Sequence, residues 1–361
     1  MGHILSHPVT DKTTVYCDSQ TLSYVIGSCQ GWRNNMEDAH CAVEETFKVT
    51  KNIPIINNNS NLGKEPKLRL ETHEETINVK IFGVFDGHGG WKSAKFVSEC
   101  LPRSIIDEIK VNYQPNKPNN WVKMLKNGFM RCDHDLYHKH FQCGTTSIVV
   151  VIINNSQMYV CNTGDSRCVM STGKGGVKNL SFDHKPSNIG ELIRIQDAGG
   201  VVNMNRVNAS LALSRAFGDF NFKKKKVYIK ENSSKVPSHF GLKEIWLPSE
   251  ETQVTVEPEI IELKLDYERD EFLVLGCDGI WDSFRNSTLI QLIRHKISIG
   301  VKLDKICEDV IDKILQTIDS NTGVGFDNMT ILVVAIHGGE ISFDGWYRKI
   351  QNRYENEMGI V

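Results

Sequence analysis

A chain of 361 residues with 40% apolar and 24% charged side chains has the composition of an ordinary globular protein, and it is long enough for a substantial core in one large domain or two smaller ones. Its 42 basic and 44 acidic residues leave a formal charge of -2, which excludes any electrostatic reason for nucleic acid or an anionic membrane as the main partner. No apolar run approaches the roughly 20 residues of a membrane span, and the first residues lack the apolar core of a secretory signal.

The cysteines form no C-x-x-C pair, and several (Cys100, Cys277, Cys307) lie inside apolar runs. That predicts buried thiols in a reducing compartment, not a disulfide framework or a zinc site. Met1-Gly2-His3-Ile4-Leu5-Ser6 fits the N-myristoylation pattern, with Gly2 exposed after Met removal. One acyl chain holds a protein on a membrane only weakly and reversibly. The expected location is cytoplasmic, with membrane contact through that chain.

Between residues 22 and 43 the pattern predicts a strand end, a loop and a second strand through Val43. Arg33 stands four and five residues before the adjacent acids Glu37 and Asp38. Taken alone, this is a surface ion pair; beside metal carboxylates, the same arginine would be a phosphate fork. Residues 50–78 are polar and lack periodicity, which predicts a mobile insertion between two strands. Val79 to Phe85 predicts a buried strand running into Asp86-Gly87-His88-Gly89-Gly90. A carboxylate where a strand meets a Gly-rich turn is held rigidly and suits a hard cation; the imidazole two residues on could donate a proton. One such turn alone reads as nothing more than a turn.

Helices are predicted at Trp91–Ile109 and Trp121–His140. His134, His138 and His140 near the end of the second complement the helix dipole rather than forming a metal site. Thr145–Ile153 and Gln157–Thr163 predict an antiparallel hairpin around Asn154-Asn155-Ser156, which argues against a doubly wound nucleotide fold. After Gly164-Asp165-Ser166 a strand runs from Arg167 to Ser171, and a helix follows at Ile189–Ala198, closed by Gly199-Gly200. A polar segment from Phe222 to Glu257 holds Lys223 to Lys226, read as a solvated face with substrate docking as the sharper alternative. Phe272–Cys277 is an apolar strand ending in Asp278-Gly279-Ile280-Trp281-Asp282. Helices follow at Ser287–Ile299 and Asp304–Ile318, then Asp327-Asn328-Met329-Thr330, a core strand at Ile331–Ile336, and an amphipathic tail over 341–361.

Asp86, Asp278 and Asp327 each sit at the end or start of a strongly apolar strand, Asp165 in a fourth such turn, and Glu37-Asp38 in a fifth. Strands converging at one end of a sheet would gather these acids, and gathered acids repel one another unless cations join them. An oxygen-only donor set points to Mg²⁺ or Mn²⁺. Two such ions about 3.5–4 Å apart would activate a bridging water and clamp a phosphoryl group for in-line attack.

The series Gln30-Gly31-Trp32-Arg33 with Met36-Glu37-Asp38-Ala39-His40, Phe85-Asp86-Gly87-His88-Gly89-Gly90, Asn162-Thr163-Gly164-Asp165-Ser166-Arg167, Ser214-Arg215-Ala216-Phe217-Gly218-Asp219, Cys277-Asp278-Gly279-Ile280-Trp281-Asp282 and Asp327-Asn328-Met329-Thr330 resembles the ordered motifs of metal-dependent type 2C Ser/Thr protein phosphatases. The resemblance spans about residues 22–338, preceded by an N-terminal segment (1–21) and followed by a tail helix (339–361).

It implies an α+β fold, a β-sandwich of two antiparallel sheets flanked by helices in the order α-β-β-α, with metals in a cleft at one end. It also implies that Asp86 bridges two Mg²⁺ or Mn²⁺ ions, with the Gly87 carbonyl and Glu37 serving one of them and Asp278 and Asp327 the other. Asp38 would hydrogen-bond to metal-bound water; Asp165, Asp278 and Asp282 match a weaker third ion. Arg33 would hold the substrate phosphate and His88 would protonate the leaving oxygen. Members act as monomers on phosphoserine and phosphothreonine proteins without a covalent intermediate. The insertion at 50–78 and the lysine-rich flap at 222–256 are longer than the family pattern.

Two other readings compete. Cys161 to Arg167 fits C-x-x-G-x-x-R, the phosphate loop of cysteine-dependent tyrosine phosphatases, but Asp165 would repel phosphate there and Arg167 enters a strand. A catalytically dead phosphatase fold serving as a binding or regulatory module is disfavoured by the complete set of metal acids.

Overall fold

The computed structural model describes residues 4–56, 68–230, 240–320, 322–339 and 341–359. The Met1-Gly2 acylation signal therefore lies outside the described residues. Four long strands open the chain: β1 (Ile4–Cys17), β2 (Leu22–Arg33), β3 (Ala39–Ile56) and β4 (Leu68–Phe85). A two-residue strand, β5 (Gly87–His88), leads into helices α1 (Lys92–Asn112) and α2 (Trp121–Tyr137). Then come β6 (Gly144–Thr145), β7 (Ser147–Ile153), β8 (Gln157–Thr163), β9 (Arg167–Thr172) and β10 (Gly176–Asn179). Helix α3 (Ile189–Asp197) precedes the short strands β11 (Val202–Asn203), β12 (Arg206–Val207) and β13 (Phe217–Gly218). The chain continues through β14 (Lys224–Lys230), β15 (Phe240–Trp246), β16 (Glu259–Lys264) and β17 (Asp270–Gly276). It ends with α4 (Asp278–Trp281), α5 (Asn286–Ser298), α6 (Leu303–Gln316), β18 (Met329–Ile336) and α7 (Phe343–Met358).

Two antiparallel sheets, ordered β1-β2-β18-β17-β9-β10 and β16-β8-β7-β4-β3, form the sandwich. Helices α1 and α2 cover the outer face of the second; α5, α6 and α7 pack on the first. The α-β-β-α order matches the expectation. Coverage on both faces explains why the strands read as unbroken apolar runs rather than alternating ones. In β7 and β8, Ile148, Val150, Ile152, Met158 and Val160 point between the sheets, while Val149, Val151, Ile153, Tyr159 and Cys161 point toward α1 and α2. Helix α2 starts where the Asn120 side chain accepts the Lys123 amide, and α7 where Ser342 accepts that of Gly345.

Two expectations change, one in the insertion and one in the flap. The unstructured insertion at 50–78 is mostly ladder: β3 and β4 stay paired from Ala39↔Phe85 out to Ile56↔Leu68. Strand β7 pairs with β4 only over 79–84, so beyond it no third described strand demands an apolar alternation, and the sequence there shows none. Residues 57–67 lie outside the described part. The N-terminal segment contains β1, hydrogen-bonded to β2 as an edge of the first sheet.

The flap contains the β14–β15 hairpin, and its lysine run is not one solvated face. Lys223 is buried, donating to Asp133 at 2.7 Å and to the Ala216 carbonyl at 2.9 Å. Lys224 donates to the Tyr137 hydroxyl at 2.9 Å and packs over the Tyr137 and Trp246 rings. A cation beside a buried carboxylate is drawn inward whatever its neighbours in sequence do.

Candidate metal centre

Strand register decides where the turns meet. Ala39 pairs with Phe85, Val84 with Ile148 and Ser147 with Thr163 in one sheet; Gly276 pairs with both Arg167 and Ile331, and Met329 with Cys29, in the other. These pairs are the last rungs of their ladders at one end of the sandwich. The turns beyond them, which carry Glu37-Asp38, Asp86, Asp165, Asp278 and Asp327, therefore share one rim.

Carboxylate oxygens of Asp86, Asp165 and Asp278 lie within 4.8 Å of one another, and so do those of Asp38 and Asp86 with the Cys277 sulfur. Asp86 thus belongs to both groups. Its position is held by the backbone: its amide donates to Thr146 Oγ1 at 3.2 Å, and its carbonyl accepts from the Thr146 amide at 2.9 Å and from Thr145 Oγ1 at 3.0 Å. Next to it a side chain is impossible, because a Cβ at Gly87 would stand 2.3 Å from the Glu37 carbonyl oxygen. That close approach is why the turn needs glycine there.

The electrostatics are those of acids crowded in a low dielectric. Burial and then the charges of Asp278 and Asp38 push the Asp86 carboxyl well above its ordinary value. Burial followed by Asp165 and Asp327 does the same to Asp278. Asp38 is pushed up to about 7 by burial, against the hydrogen bond it accepts from Thr330 Oγ1 at 2.7 Å. Its other oxygen, Oδ1, is buried without a hydrogen-bond partner. Asp282, one turn after Asp278 on α4, is raised by burial against the opposing pull of Lys185. A divalent cation would reverse each of these penalties at once.

Charged groups flank the acids. Arg33 Nη2 lies 2.5 Å from Asp327 Oδ2. The Glu37 amide donates to Asn328 Oδ1 at 2.9 Å, and Glu37 Oε2 accepts the Gly90 amide at 3.1 Å. The Asn328 amide nitrogen in turn donates to the carbonyls of Gln30 and Asn35, tying β2 to the turn before β18. His88 Nε2 and Asp219 Oδ2 are 2.6 Å apart. Burial works against the His88 imidazolium, but Asp219, with Asp165 and Glu37 behind it, raises its pKa overall. Lys185 donates to Asp165.

The donor set fits a hard cation. It is oxygen apart from Cys277, whose thiol is pushed well above its ordinary value by burial and by the adjacent acids, and which donates to the Asn328 carbonyl at 3.4 Å. All sequence-identified acids reach the rim. Asp219, Asn328 and Thr330 stand in the quoted motifs without an assigned role, and Lys185 escaped sequence reasoning. Asp219 follows a Gly in a turn and adopts φ +50° there.

The cysteine-phosphatase reading fails on geometry. Cys161 lies wholly buried within β8 with its thiol pushed up by burial, and Arg167 is committed to Asp183 at 2.7 and 2.9 Å.

Comparison with known proteins places this rim in a family. A family model described as "Protein phosphatase 2C" matches residues 22–322. Protein phosphatase 2C homolog 4 of Saccharomyces cerevisiae is 37% identical over 410 residues, covering 100% of each chain. Protein phosphatase 2C homolog 2 of Schizosaccharomyces pombe is 36% identical over 99% of this chain and 85% of that one. Among solved structures, a phosphatase from Toxoplasma gondii shares the fold with a TM-score of 0.64 at 20% identity, covering 91% of this chain and 96% of that one.

Proposed function

This chain belongs to the protein phosphatase 2C family and is a metal-dependent serine/threonine protein phosphatase, and from that premise we propose the roles of its individual residues. The observation that carries the proposal is the gathering of Asp86, Asp165 and Asp278 within 4.8 Å, with Asp86 shared by a second cluster that includes Asp38. Asp86, common to both clusters, would help hold two Mg²⁺ or Mn²⁺ ions. The Gly87 carbonyl and Glu37 would complete one coordination sphere, Asp278 and Asp327 the other, and Asp165, Asp278 and Asp282 a weaker third. When bound, such ions supply charge neutralisation and a water of lowered pKa.

The remaining work falls to the chain. Arg33 exchanges its contact with Asp327 for the phosphate, which its planar fork matches in two hydrogen bonds. Asp38, through its unpartnered Oδ1, orients a polar group at the rim. His88, with Nε2 engaged by Asp219, has Nδ1 left to donate a proton to the departing seryl or threonyl oxygen. No side chain is required as a nucleophile, so the phosphoryl group passes to water without a covalent intermediate. We extend the proposal to a monomeric cytoplasmic enzyme, weakly membrane-associated through N-myristoyl Gly2. It is supported by the Met1-Gly2…Ser6 pattern and testable by labelled myristate incorporation into the wild type and Gly2→Ala.

The deciding experiment is phosphate release from a phosphothreonine peptide with Mn²⁺ or Mg²⁺ and with EDTA, for wild type, Asp278→Ala and Cys161→Ser. Activity that needs metal, is lost in Asp278→Ala and survives Cys161→Ser is expected. EDTA-resistant activity that needs Cys161 would overturn the assignment.

A further inference from the structure

The opposite end of the sandwich holds a second concave site. Strand β18 leaves the metal centre at Met329 and reaches this end at Ile336, where the β16–β17 turn, the residues after β18 and one face of α7 surround an open cavity of about 1170 Å³. Its wall carries four cations, Lys264, Arg348, Lys349 and Arg353, against two acids, Asp266 and Glu268. Lys349 donates to the Tyr267 carbonyl at 2.7 Å and stands 3.9 Å from the Glu268 carboxylate, and Arg353 donates to the Glu268 carbonyl. Burial first, and then the adjacent Arg353, hold the Lys349 ammonium below its ordinary pKa against the pull of Glu268, Glu271 and Asp266. The side chains of Lys264 and Arg348 make no hydrogen bond or ion pair among the described residues.

His337 lines this cavity and is only 4% exposed. Its Nε2 accepts the Ser23 amide at 3.2 Å and lies 3.1 Å from Ser23 Oγ, and the ring also meets the backbone of Ile341.

We propose that this cavity binds a small soluble molecule carrying two or more phosphate groups. Arg353 also lies 3.5 Å from Glu271, so the charges left without an ion pair are those of Lys264 and Arg348; two such charges call for more than a monoanion, and guanidinium forks match phosphate oxygens. The volume exceeds what orthophosphate needs and lies just above the roughly 300–1,000 Å³ usual for small-molecule sites. A soluble source is favoured over a lipid headgroup by topology: Ile4 pairs with Arg33, so β1 enters the fold at the metal-centre end. A lipid anchored at Gly2 would turn the cavity away from the bilayer.

The test is titration calorimetry on the full chain with Mg²⁺ present and fructose 1,6-bisphosphate as the probe. One saturable site with Kd below about 1 mM is expected. The double variant Lys264→Gln/Arg348→Gln should bind at least about tenfold more weakly, as expected for lost charged hydrogen bonds, while its phosphopeptide turnover stays at the wild-type level. Arg33→Ala should leave probe binding unchanged. Binding that is lost in Arg33→Ala but kept in the double variant would mean that the probe occupies the metal centre, and would overturn the proposal. So would an absence of heat up to about 5 mM probe, or binding seen only with vesicles containing a phosphoinositide bisphosphate.

Discussion

Arg33 and Asp327 meet at 2.5 Å although 294 residues separate them in the chain. Both side chains remain more than a third exposed, at 39% and 34%, so the pair adds only about 0–1 kcal/mol to stability. Its arginine is worth more to the reaction. Arg33→Ala is expected to lower kcat/KM on a phosphopeptide by about 10- to 100-fold, the range for losing charged hydrogen bonds to phosphate. Its Tm should move by less than about 4 °C. Steady-state kinetics beside a thermal melt check this; a collapse in Tm with unchanged kinetics per folded molecule would make Arg33 purely structural.

Asp278 illustrates the cost of the site without metal. Burial and the neighbouring Asp165 and Asp327 disfavour its charge, so Asp278→Asn relieves the metal-free protein. In EDTA the variant is expected to melt above wild type. Saturating Mn²⁺ at a hundred times its Kd should stabilise wild type by about 2.7 kcal/mol and the variant far less. Equal responses to Mn²⁺ would show that Asp278 holds no ion.

Glu191 sets a pH dependence away from the metal centre. Burial alone would raise its pKa, but the hydrogen bonds and charges of Arg215 and Arg194 outweigh that and bring it to about 2. A depressed carboxylate stabilises the fold above its unfolded pKa of 4.5 and loses that contribution as the pH falls toward 2. The contribution is about 3 kcal/mol. Denaturant titrations should find Glu191→Gln less stable than wild type at pH 6, with the gap narrowing steadily below pH 4.5. A gap that is flat down to pH 3 would contradict the ion-pair origin.

Lys223 separates packing from docking. Both it and Asp133 are almost fully buried, with side-chain exposures of 4% and 8%. Lys223→Ala strands a buried carboxylate and is expected to cost about 3–5 kcal/mol, lowering turnover of phosphoprotein and of a small aryl phosphate together through loss of folded enzyme. Unchanged stability with selective loss of phosphoprotein turnover would restore this lysine to a docking surface.

Several features were plain in the chain itself. Strands such as Ser147–Ile153 announced themselves because both faces are covered, so every residue from Ile148 to Ile153 is apolar and the run has the length of a strand, not of a helix. The polar ladder beyond Asn78 did not, because pairing alone imposes no side-chain pattern where no third strand lies alongside.

By itself the sequence determined which acids stand at strand ends, that their donors are oxygen, and hence that a hard cation belongs among them. Those properties follow from residue type and local periodicity. Tertiary structure alone decided the partner of each charge: Asp219 against His88 from 131 residues away, Thr330 on Asp38 from 292, and Lys223 inside rather than out. Hydrogen-bond partners depend on the register of several strands and the path of the loops between them at once, and no local pattern carries that information.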